Sequence, residues 1–157
     1  MLKNTLAKLT NSLPTESVSA HCDGPCGVYD PASARIAAEA ALSMTKKILA
    51  LAPPDAGDAA GWAAYLNTMS RYVAIKEEQA HLAKEELLVL WTDYFKPVHL
   101  EEYPDLHNIF WLAAKLCSAV KVEVSLEHAI ELMEAIQAIH DIFWATKGRE
   151  IEYYIAS

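Results

Sequence analysis

What constrains this chain most is where its prolines fall. Pro31, Pro53, Pro54, Pro97 and Pro104 stand at the edges of long stretches whose apolar residues recur at helical spacing. Asp30-Pro31 reads as a helix start, with Asp as N-cap and Pro at the first helical position. Ile36, Ala40, Met44, Ile48 and Leu51 then form an inward stripe that Pro53-Pro54 stops. Asp55 restarts the chain. Trp62, Leu66, Met69, Val73, Ala80, Leu87, Trp91 and Tyr94 line an unusually long second helix, expected to end at Phe95-Lys96-Pro97. Its solvated side carries Lys76, Glu77, Glu78, Lys84, Glu85 and Glu86.

Pro104 opens a third helix with Leu106, Phe110, Ala113, Cys117 and Val120 facing in. Ser125 is suited to cap a fourth, with Leu132, Ile136, Ile139 and Phe143 inward and Gly148 at its end. No strand alternation or internal repeat interrupts this pattern. The expected fold is all-α, a four-helix bundle over residues 32–148 with an N-terminal hook at 21–31. Residues 149–157 carry Ile151, Tyr153, Tyr154 and Ile155, which periodicity does not place.

Composition limits the function classes. A chain of 157 residues, 53% hydrophobic, can bury a core as one domain. Its net charge of −8 argues against a nucleic-acid partner, which would call for a basic face. It leaves room for a small anionic substrate, because local potential in a cleft counts for more than the total. No apolar run approaches the roughly 18 residues of a membrane span. Three cysteines, Cys22, Cys26 and Cys117, are too few for a disulfide scaffold.

The chemistry concentrates in His21-Cys22-Asp23-Gly24-Pro25-Cys26-Gly27-Val28-Tyr29-Asp30-Pro31, too rich in breakers to be helical. The C-x3-C spacing of Cys22 and Cys26 alone suits two core cysteines or a disulfide as well as a metal clip. On a loop, beside His21 and with Pro25 and Gly27 permitting a tight turn, the pair suggests the clip. A closed zinc site wants four side-chain ligands, and three stand here. His81, His99, His107, His128 and His140 are scattered singly and read as surface or satisfied histidines.

Residues 1–20 precede the hook. Leu2, Leu6, Leu9 and Leu13 are separated by polar residues, so no export core forms. Composition suits a weakly amphipathic leader; the sharper reading is a propeptide cut between Ala20 and His21. The cut would create an α-amine with a pKa of roughly 8, readily deprotonated by a metal. That amine, the Cys22 amide and the Cys22 and Cys26 thiolates make an N2S2 set suited to Ni(II) or Cu(II), with the His21 imidazole free to approach axially.

This hook resembles that of the nickel-containing superoxide dismutases. Asp30-Pro31-Ala32 with Ala34-Arg35-Ile36 is similar to the family's first-helix start. Ile75-Lys76-Glu77, Leu82-Ala83-Lys84 and Leu90-Trp91-Thr92-Asp93-Tyr94-Phe95-Lys96-Pro97 are similar to its second helix. Tyr103-Pro104 with Leu106-His107, and Ile142-Phe143-Trp144 with Thr146-Lys147, extend the resemblance from His21 to Lys147.

The resemblance implies an enzyme that disproportionates superoxide to dioxygen and hydrogen peroxide by Ni(II)/Ni(III) cycling, with one nickel ion per subunit. It implies that His21 supplies amine and axial imidazole, Cys22 amide and thiolate, and Cys26 thiolate. Tyr29 and Tyr94 match tyrosines over the open face. Asp23 matches a residue whose backbone amide borders the substrate site, and Gly24–Pro25 matches a cis peptide. A homohexamer and a processing protease are further implied partners. A cytoplasmic location fits a leader without an export core and thiols that must stay reduced until nickel arrives.

One departure stands out. The family's glutamate and arginine that fix the axial imidazole align with Ala37 and Gln79. Gln79 retains a neutral hydrogen bond for that role. Two competing readings are a zinc or copper thiolate site without redox activity, and a helical interaction module with structural cysteines.

Overall fold

The computed structural model describes residues 26–156. Within them the regular elements are all helical: α1 (Ala32–Ala50), α2 (Ala59–Val89), α3 (Pro97–Glu102), α4 (Leu106–Val122) and α5 (Leu126–Thr146). The expected bundle is present. α1 packs on α2, α2 on α4, α4 on α5, and α5 returns to α1, so the four long helices enclose one core in chain order.

The expected start of α1 holds to within a residue. Asp30 Oδ1 accepts the backbone N–H of Ala32 at 2.8 Å, satisfying one donor that the first turn leaves open. The buried face differs from the expected stripe: Ile36 is exposed, while Ala34, Ala37, Ala38, Ala41 and Leu42 are buried. Alanines at these positions, with Ala80 and Ala83 of α2, keep side-chain bulk small where α1 meets α2. A pattern weighted toward large residues selects the wrong face where small ones form the contact.

Three further expectations are corrected. α2 does not run as one α-helix to its end; Leu90–Tyr94 is a π-helical turn, closed by Phe95 N–H donating to Leu90 O at 3.1 Å. A short α3 follows, which the sequence reading did not include. The next helix begins at Leu106 rather than Pro104, with Asp105 at its N-cap position. Lys76, expected on the solvated side of α2, is 2% exposed. Its Nζ donates to the carbonyls of Val120, Lys121 and Glu123 at 2.6, 2.8 and 2.9 Å, capping the end of α4.

The inward residues expected for α4 and α5 are all buried, including Phe110, Leu132, Ile136, Ile139 and Phe143. Ser125 Oγ accepts the N–H of His128, as expected of an N-cap. Gly148, at φ +65°, takes the left-handed conformation that ends α5.

The C-terminal segment then folds back across α5 and α1. His140 Nε2 donates to Ile151 O at 2.9 Å and Tyr153 OH to Met133 O at 3.2 Å. The N–H of Ala156 donates to Glu39 Oε1 at 2.6 Å, and Arg35 lies 4.4 Å from the centroid of Tyr154. Arg35 and Glu39, 3.2 Å apart, are a buried ion pair under this strap.

Candidate metal centre and its tyrosines

Ala20, His21, Cys22, Asp23 and Pro25 lie outside the described residues, as does the whole 1–20 leader with its expected cleavage point and the Gly24–Pro25 bond. The described part of the hook begins at Cys26, which is exposed and in no disulfide. Gly27 follows at φ +66°, a left-handed conformation that glycine adopts without steric cost. That turn leads the chain from Cys26 toward α1 through Val28 and Tyr29.

Cys117 is separated from the hook both by position and by environment. It is 1% exposed in the core of α4, and burial pushes its thiol pKa up to about 12. It is a packing residue. Among the described residues no three His, Cys, Asp or Glu side chains are grouped to hold a metal ion. His81, His99, His107, His128 and His140 each have local partners. Trp91 Nε1 donates to His107 Nδ1 at 2.8 Å, and His128 Nδ1 is 2.9 Å from Glu123 Oε2.

The structure brings Tyr29 and Tyr94 together. Their ring centroids are 5.6 Å apart at an interplanar angle of 54°. Tyr29 is carried by the loop after Cys26, and Tyr94 ends the π-helical turn. Next to Tyr29, a cleft of about 240 Å³ is lined by Val28, Asp30, Ser33, Glu86 and Leu90. Tyr94 is fixed from several sides. Phe143 lies 4.5 Å away, Phe95 meets it edge-on at 5.0 Å, and His99 stacks at 5.7 Å. His99 is itself held, its Nδ1 accepting the Lys96 backbone N–H at 3.1 Å.

Two residues at the end of α5 complete this corner, and the sequence reading assigned them no role. Thr146 Oγ1 is 2.7 Å from the Tyr94 hydroxyl. Lys147 Nζ stands 5.1 Å from the Tyr94 centroid and 5.0 Å from that of Phe143, placing a positive charge at the Tyr94 ring of a chain whose net charge is −8. The Thr146-Lys147 pair was visible in the sequence, but no local pattern ties it to a tyrosine more than fifty positions away.

Gln79 is half-buried on α2, and Ala37 is 1% exposed on α1. The Ala37 position therefore lies inside the helix packing.

Comparison with known proteins bears on this corner directly. The family profile described as nickel-containing superoxide dismutase matches residues 16–147, a span that includes the hook, Tyr29 and Tyr94. The nickel superoxide dismutase of Streptomyces seoulensis is 43% identical over 134 residues, covering 85% of this chain and 93% of that protein. That of Streptomyces coelicolor is 41% identical with the same coverage. A crystal structure of a nickel-containing superoxide dismutase, with its nickel ligation in the oxidised state, superposes with a TM-score of 0.70 at 43% identity. It covers 82% of this chain and 100% of the solved one.

Proposed function

Because the chain belongs to the nickel-containing superoxide dismutase family, and so uses nickel to disproportionate superoxide, we propose that its nickel is held by His21, Cys22 and Cys26. The donor chemistry supports this set. Cys26 is exposed at the near end of the described chain, and no group of described residues offers a complete alternative. His21 and Cys22 stand immediately before it in sequence. Two thiolates with amine and amide nitrogens form a soft, strongly donating set that suits nickel better than zinc. When bound, the nickel supplies a one-electron couple, so that one superoxide is oxidised to dioxygen and another, with two protons, is reduced to hydrogen peroxide.

The chain's own residues do the rest. The His21 α-amine, freed by cleavage after Ala20, is a donor that an Ala20–His21 amide is not, because the amide lone pair is delocalised into its carbonyl. The His21 imidazole would be a further nitrogen donor to the nickel, and Gln79 would offer it a neutral hydrogen bond. Asp23 and Pro25 shape the hook, and the Asp23 backbone amide borders the substrate site. Tyr29 and Tyr94 guard the open face without binding metal, and their 5.6 Å separation is the observation that carries this role. Lys147 beside Tyr94 favours approach of an anion.

Residues 1–20 are a propeptide, 21–31 the hook, 32–148 the bundle, and 149–157 an extension that straps α1 to α5. The family profile begins its match at residue 16, so most of 1–20 lies outside the span that the family profile covers. The active assembly is a homohexamer. Exposed Ile36, Leu66, Trp111 and Leu112 supply apolar surface for contacts between copies. No described helix is long and apolar enough to cross a membrane, and the reduced hook thiols fit a cytoplasmic site of assembly.

N-terminal sequencing of the purified native protein, with its metal content, tests this reading. A first residue of His21 and one nickel per chain are expected. A nickel-loaded, active protein that retains Ala20 would overturn the amine's role.

A further inference from the structure

The hydrogen bonds of Thr146 fix a direction that distances alone leave open. Thr146 Oγ1 lies 2.7 Å from the Tyr94 hydroxyl and 2.7 Å from the carbonyl oxygen of Phe143 on its own helix. A threonine hydroxyl has one proton and two lone pairs, and a carbonyl can only accept. The Thr146 proton therefore goes to Phe143 O. Toward Tyr94 the Thr146 oxygen has only lone pairs left, so the phenol is the donor in that bond.

A phenol also has one proton. With it committed to Thr146, the Tyr94 oxygen can offer only lone pairs to any third group. Free rotation would weaken this conclusion, but the ring is packed by Phe143 at 4.5 Å and Phe95 at 5.0 Å and stacked on His99. Thr146 is equally restrained, because its bond to Phe143 closes the last turn of α5.

We infer that Thr146 is a positioning residue that turns the Tyr94 proton inward, so that Tyr94 accepts hydrogen bonds at the open face and does not donate them. This rests on the guarding role given to Tyr94 above. A guard that only accepts favours water and other proton-bearing species, such as the peroxide product. It gives no hydrogen bond to a small inert anion. Lys147 draws anions to this corner by charge, and the acceptor-only phenol withholds the contact that would let an unreactive one settle.

The test uses reduced holoenzyme carrying 13Cζ-labelled tyrosine, with the Tyr94 resonance identified by its loss in Tyr94→Phe. Azide inhibition of superoxide consumption is measured on the same samples. Thr146→Ser keeps the hydroxyl and should leave both readouts as in the parent. Thr146→Val keeps the shape but removes the acceptor, so the Tyr94 resonance should move and azide should inhibit on the order of 2- to 10-fold more tightly, the range of one net hydrogen bond. Thr146→Ala serves in its place if the valine variant does not fold. An unmoved Tyr94 resonance overturns the donor direction. A moved resonance with unchanged azide inhibition overturns the positioning role. Azide inhibition that stays tighter when Tyr94→Phe is added to Thr146→Val overturns the guarding role, because the gain then needs no phenol, while the resonance in Thr146→Val alone still reports which hydroxyl donates.

Discussion

The ammonium of Lys76 lies 2.6 Å from the carbonyl oxygen of Val120, linking the middle of α2 to the last turn of α4. With Lys121 and Glu123 it satisfies three carbonyls that the end of α4 leaves without helical partners. Lys76→Met keeps most of the side-chain volume and removes every donor. The expected cost is about 2 to 3 kcal/mol of stability, the scale of lost hydrogen bonds to a charged group. Chemical denaturation checks it; a loss within error of zero would mean that water replaces the ammonium freely. Nickel content should not change.

Cys26→Ser should abolish nickel binding and superoxide turnover together, since serine at neutral pH is not an anionic donor. Cys117→Ala should do neither, because that thiol lies in the core. Metal analysis of the two variants side by side separates a ligand from a packing residue. Full turnover by Cys26→Ser would exclude it from the site.

Tyr29→Phe and Tyr94→Phe should each retain one nickel per chain and alter the response to peroxide or anions. Tyr94→Phe also removes the hydroxyl that bonds Thr146 Oγ1, so it should be less stable than the parent by about 1 kcal/mol. Loss of nickel from Tyr29→Phe would give that phenol a supporting or ligating role.

Alkaline pH should weaken the fold through two buried groups. Burial raises the Cys117 thiol from 9.0 to about 12 and the Tyr153 phenol from 10.0 to about 12. Both are then protonated in the folded chain and ionised in the unfolded one across that range. Their contribution is fully present below the unfolded values and is lost as pH climbs from about 9 toward 12. Lys76 has the opposite sign, because burial lowers its pKa below 10.5 and the unfolded chain holds its proton longer. Stability measured against pH should therefore fall less steeply in Cys117→Ala and Tyr153→Phe than in the parent. Unchanged slopes in both variants would mean that other groups carry the alkaline loss.

The fold was legible where large apolar residues form the contacts. Phe110, Leu132, Ile136, Ile139 and Phe143 repeat at helical spacing and are all buried. It was less legible on α1, where alanines make the packing face and Ile36 faces out, because residue size there points away from the contact. Lys76 escaped for a related reason. A lysine among glutamates reads as solvated, and its partners are backbone carbonyls more than forty positions away. The strap of residues 149–156 is held by such distant partners too, with Ala156 bonded to Glu39. The hook was the reverse case: its residue types pointed to nickel without any tertiary information, and nickel is the metal of the family the chain belongs to, while His21 and Cys22 lie outside the described residues. What aims Tyr94 depends on Thr146 and on a local change of helix type, and neither has a short-range sequence pattern.

The Ala37 position tests how the His21 imidazole proposed as a nickel ligand is held. Ala37 is 1% exposed, so Glu at 37 alone places a charge inside the α1 packing and should destabilise strongly. Adding Gln79→Arg should recover part of that loss if the two positions meet, and should sharpen the axial nitrogen coupling in the oxidised spectrum. Strictly additive effects in a double-mutant cycle would place the two positions out of contact.

The π-helical turn at Leu90–Tyr94 has a consequence for anyone reusing this architecture. Each helical residue advances the chain by about 100°, so the extra residue in that turn sets Tyr94 out of phase with Leu87 and the rest of α2. The direction in which the bundle buries its leucines and the direction in which the tyrosine is aimed are thus separate settings on one continuous rod. A hook grafted onto an idealised straight bundle would bring Tyr29 and lose this offset, and the second phenol would swing away from the first.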